Sequence, residues 1–134
     1  MPSCDMRTRG YPHTFKARPW GEIASFLDEM TAKSDAFSHM SAVAHSVIDC
    51  RRTHDLAGTT SMHDIVVTST PLGEPPHEIV IVRSPSSVRR PSTGHVAIEH
   101  QSLTGHDDSI ERPTSEAVPL FWRFMIEKFG VAPH

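Results

Sequence analysis

The chain has little of several things, and each shortage narrows the field. Only 2 of its 134 residues are cysteine, Cys4 and Cys50. They are far apart and unpaired by any CxxC spacing, which excludes a disulfide framework and a cysteine-based metal knuckle. No run approaches the roughly 20 consecutive apolar residues of a membrane-spanning helix. The opening Met1-Pro2-Ser3-Cys4-Asp5-Met6-Arg7 has no apolar core of the secretory kind, so the expected compartment is cytoplasmic and no membrane is involved. Basic excess is also missing: the net charge is −3 and the pI near 6.3, which disfavours nucleic acid as a partner, since such affinity rests on phosphate neutralisation.

Nucleotide and acyl-transfer signatures are absent as well. There is no GxxxxGK[ST] loop, no GxGxxG following a strand and no GxSxG elbow. His95-Val96-Ala97-Ile98-Glu99-His100 matches neither HExxH nor HxxEH, and on a strand its two histidines would face opposite ways. No metal and no cofactor is therefore expected. Arg89-Arg90-Pro91-Ser92 resembles a basophilic kinase site, a pattern that arginine-rich loops also produce by chance.

What the chain does have is 11 prolines, ten histidines and one domain's worth of length. Imidazoles titrate near pH 6.5, so ten of them make the surface charge sensitive to mild acid. Residues 1–17 lack periodicity and read as a flexible or irregular N-terminal segment, with one irregular strand around Thr14-Phe15-Lys16. Residues 18–134 read as a single α+β domain.

That domain opens with a helix from Pro19, with Trp20, Ile23, Leu27 and Met30 on one face. Ser34-Asp35 caps a second helix with Phe37, Met40, Val43 or Ala44, and Val47 at helical spacing. Ser46–Thr53 also reads as a strand, so this helix is expected to break near His45. Two β-branched runs, 63–70 and 77–84, flank a proline-rich turn and form a hairpin. A Pro/Ser/Arg loop over 85–94 leads to a strand at 95–100 that extends toward Leu103, and Ser109–Arg112 is a short fifth strand. Thr114-Ser115-Glu116 then opens the last helix, which runs to Phe129 and stops at Gly130. Connections this short cannot hold crossover helices, so the expected fold is an antiparallel four- to five-stranded meander with two N-terminal helices and one aromatic-rich C-terminal helix.

In such a meander, with its first strand at 46–53, one edge gathers Arg51, Arg52, His54, Asp55, His63, Asp64, Arg83, Arg89, Arg90 and His95. The opposite edge holds Thr70, His77, Glu78, Glu99 and His100. Guanidinium forks match carboxylates and phosphates, so the first edge suggests a pocket for a small anionic ligand. There His63 or His95 could act as acid or base, with Asp64 or Asp55 orienting the imidazole. Strand parity puts Arg83 beside Ile79 and Ile81, and His100 beside Val96 and Ile98, so either could face an apolar layer. The candidate ligand residues are thus Arg52, His54, His63, Asp64, Arg83, His95 and His100.

The last helix is apolar around more than half its circumference, with Val118, Trp122, Met125 and Phe129 in one stripe beside Phe121 and Phe124. Phe121, Trp122, Met125 and Phe129 are the candidate partner-binding residues, for a protein partner or a homodimer. Two functions follow as expectations. The first is a small cytoplasmic protein-binding module of regulator, immunity-type inhibitor or chaperone-like character. The second is a small enzyme or ligand-binding fold with an Arg/His anion-binding pocket at the sheet edge; the missing signatures weigh against catalysis.

Overall fold

The computed structural model describes residues 11–134; residues 1–10, with Cys4 and most of the N-terminal segment, lie outside the described residues. Helix α1 spans Trp20–Lys33, with Pro19 at its N-cap, where a missing N–H costs nothing. A 3₁₀ turn over Asp35–Phe37 leads into α2, Ser38–Asp49. Five strands follow: β1 Leu56–Ser61, β2 Asp64–Ser69, β3 Ile79–Arg83, β4 His95–Gln101 and β5 Asp108–Pro113. Helix α3, Ala117–Phe124, widens into a π-helical turn over Met125–Phe129 and ends at Gly130 in the left-handed conformation that favours glycine. The sheet order is β1-β2-β3-β4-β5, antiparallel throughout, so the α+β meander with two leading helices and one closing helix is the observed architecture.

One expected strand is not formed. Residues 46–49 continue α2 as helix, and the first strand is Leu56–Ser61 instead. Val43, Ala44 and Val47 are fully buried among the helices, and Trp122 Nε1 donates to Ser46 Oγ at 3.1 Å. Tertiary packing on this side overrides the β-propensity of a short Val-Ile run. The helix ends where Arg51 turns left-handed (φ 57°), with the Arg52 amide bonded back to Val47 O.

β1 escapes a propensity reading because Ala57 and Gly58, both poor strand formers, occupy its first half. The glycine is required by close approach, since a Cβ there would stand 2.6 Å from the Trp20 ring. Trp20 also donates Nε1–H to Leu56 O at 2.8 Å, which satisfies its one polar atom in the core.

The three helices cover one face of the sheet. Ile65, Val67, Val80, Val82, Val96 and Ile98 point to that side and pack with Ile23, Leu27, Met40, Val43, Phe121 and Met125. Each fully buried side chain of this kind contributes roughly 1.5–3 kcal/mol. The other face carries a smaller apolar cluster, Ala57, Val66, Ile79 and Ile81, roofed by Phe15. Residues 11–18 cross this face as irregular backbone, tied by single bridges between Tyr11 and His77 and between Arg18 and Gly58.

Candidate functional site

Moving the first strand from 46–53 to 56–61 reassigns the sheet's ends. The end of β1, the start of β2, the end of β3 and the start of β4 now meet, and Arg52, His54 and Asp55 go to the opposite end. There Arg52 binds Asp55 at 3.1 Å and donates to Ala132 O at 2.7 Å, while the His54 carbonyl accepts Thr70 Oγ1 at 2.6 Å. Neither belongs with the expected cluster. His100 also sits at that opposite end, on the helix-covered face; its Nε2 is 3.3 Å from Glu78 Oε1 but outside hydrogen-bond geometry.

Asp64 and Arg83 remain at the expected end but are used internally. Asp64 is buried: Oδ1 accepts the Ser84 amide at 2.8 Å, and Oδ2 accepts Ser87 Oγ at 2.8 Å and Arg83 at 3.2 Å. Arg83 Nε donates to Glu99 Oε1 at 2.5 Å, so its fork lies between two carboxylates. A guanidinium paired in this way has no free face for an anion. The network clamps the start of the 84–94 loop to the outer face of the sheet.

His63 is held elsewhere. Its ring stacks on Phe26 at 5.7 Å, meets the edge of Phe37 at 5.4 Å, and places Nδ1 2.6 Å from Ser86 Oγ. Among the described residues no carboxylate bonds His63; Asp64 serves Ser84, Ser87 and Arg83 instead. The Ser86–His63 pair therefore lacks the orienting acid of a nucleophile–base–acid relay.

The same loop forms one wall of a cleft of about 790 Å³, within the range of small-ligand sites. Pro85 and the stretch Arg90–His95 face Asp35, Ala36, Ser38 and His39 from the start of α2, with Thr114 closing one end. His95 and Arg90 both line this cleft. His95 Nδ1 lies 3.1 Å from Thr93 O and must carry the proton there, so in the neutral ring Nε2 is an acceptor. His39 is 7% exposed with Nε2 unpartnered, and burial lowers its pKa, which keeps the ring neutral at pH 7. Among the described residues, neither Arg90 nor Asp35 forms an ion pair.

Asp35 and His39 were not singled out in the sequence, where Asp35 read only as part of a cap. The available signal was a histidine inside an otherwise apolar helical repeat. A second groove of about 600 Å³, near Trp20, Leu56 and Leu72, is mostly apolar; its one charged residue, Arg18, bonds Thr60 and faces Glu22.

The expected partner surface on the last helix is not exposed. Phe121, Trp122 and Met125 are buried in the chain's own core and Phe129 is half-buried against it. The helix is apolar on so many sides because it lies against both the sheet and α2. Exposed large apolar residues are single and scattered: Met62, Leu72, Val88, Leu103 and Ile126.

Among the described residues no helix is long and apolar enough to cross a membrane, and no cluster of His, Cys, Asp and Glu has the arrangement to hold a metal ion. Comparison with family models, curated proteins and solved structures finds no match.

Proposed function

We propose that this protein is a small cytoplasmic ligand-binding fold that holds an anionic group in the cleft between the Pro85–His95 loop and the start of α2. The carrying observation is Arg90: an exposed guanidinium with no carboxylate paired to it among the described residues, lining a cleft with two imidazoles. Guanidinium binds carboxylate and phosphate through paired N–H donors. The clamped loop supports the same reading, since Asp64 and Arg83 hold its first residues in place before any ligand arrives.

Binding is favoured over catalysis because Ser86–His63 has no acid behind it. The protein-binding alternative has little apolar surface to use: Met62 and Val88 are exposed, but the aromatic stripe is internal.

Titration of isotope-labelled protein with inorganic phosphate and with acetate tests the proposal. Amide shifts should be confined to residues 35–39 and 85–95, and Arg90→Ala should weaken binding about tenfold, the value of one charge-assisted contact. No saturation at millimolar concentration, or equal binding by Arg90→Ala, would refute it.

A further inference from the structure

An anion cleft has no use for a carboxylate on its wall, yet Asp35 lines the same cleft as Arg90. The two opposite charges do not pair with one another, nor with any other charged group among the described residues. Both side chains are exposed where they line the cleft. A ligand carrying only negative charge would gain from Arg90 and lose to Asp35.

The imidazoles point the same way. His95 commits its Nδ1 proton to Thr93 O, which leaves Nε2 of the neutral ring able to accept but not to donate. His39 is buried, and that burial disfavours its charged form. The cleft thus offers one cation, one anion and, when the His95 ring is neutral, an imidazole acceptor. That set matches a ligand with an anionic end and a donating cationic end.

Resting on the anion-binding reading above, we infer that the cleft recognises a zwitterion of the short-peptide class, with its carboxylate at Arg90 and its ammonium at Asp35. A volume of about 790 Å³ suits a few residues better than one free amino acid. Asp35 also stands in the 3₁₀ turn just before α2, where an acid favours the dipole of the helix that follows. That role makes a different prediction, because it changes stability without touching ligand choice.

The test uses three probes of one tripeptide, trialanine: the free form, the N-acetylated form without a cation, and the C-terminal amide without a carboxylate. Binding is read by amide shifts on the full chain. The free form should bind about tenfold more tightly than the acetylated form. Asp35→Asn should abolish that advantage and strengthen binding of the acetylated form, since it removes a like charge; Asp35→Ser, which also removes the charge, should behave the same way. If free and acetylated forms bind equally, both more tightly than the amide, the zwitterion inference fails and the anion reading survives. If the amide equals the free form, the anion reading fails, and if none of the three binds, both fail. A melting temperature lowered by Asp35→Asn with ligand preferences unchanged assigns Asp35 to the helix alone and overturns the inference.

Discussion

The two faces of the sheet are built from alternate residues of the same strands, yet they solve the burial problem differently. The inner face is mostly apolar from β1 to β4, His100 and Thr60 apart, and is covered by three helices. The outer face is divided: Ala57, Val66, Ile79 and Ile81 lie under Phe15, and beside them Asp64, Arg83 and Glu99 form a nearly buried ion network. Non-directional packing holds the inner face, so many side chains of similar volume would serve there. On the outer face directional bonds hold the loop, so identities matter more than volumes. The candidate cleft lies where the two meet, with one wall from the inner layer's α2 and the other from the loop that the outer network clamps.

The largest effect should come from the inner face. Phe121 is fully buried between sheet and helices, and Phe121→Ala should cost about 4 kcal/mol in urea unfolding. A loss under half that size would mean that the helices repack readily and the contrast between the faces is weak. Next comes Arg83→Leu, which leaves Asp64 and Glu99 buried without their cation and should cost about 3 kcal/mol. It should also broaden amide signals over residues 84–87, an effect Phe121→Ala should not reproduce selectively; unchanged loop signals would show that the clamp is not what orders the loop.

The smallest effect is a pH dependence at the boundary. Burial lowers the His39 pKa below its ordinary 6.5, so the unfolded chain binds more protons than the folded one as pH falls below that value. The stability linked to His39 is complete above pH 6.5 and is lost progressively as pH drops toward the folded pKa. His39→Leu should therefore lose less stability than the parent between neutral and mildly acid solution. Equal losses would mean that the His39 environment admits the charged ring.

Much of this plan is legible in the residues. The two β-branched runs, the Trp20-Ile23-Leu27 face and the aromatic closing helix each carry a period or a propensity strong enough to identify an element without its neighbours. The candidate site is legible only in part. His95 and Arg90 follow from the ends of β4 and the loop before it, whereas Asp35 and His39 enter through the packing of α2. Arg52 and His54 were placed with them only because Ser46–Thr53 reads as a strand when Trp122 is not yet known to lie against Ser46.

The sequence by itself determined the class of fold and its antiparallel meander between two leading helices and a closing one, because alternation, short connections and turn residues act locally. Tertiary structure alone decided that Gly58 sits in a strand, that Arg83 and Asp64 satisfy one another and that Asp35 faces the loop of Arg90. Those outcomes depend on which distant groups arrive at van der Waals or hydrogen-bond range, and a contact between residues remote in the chain leaves no period in the sequence.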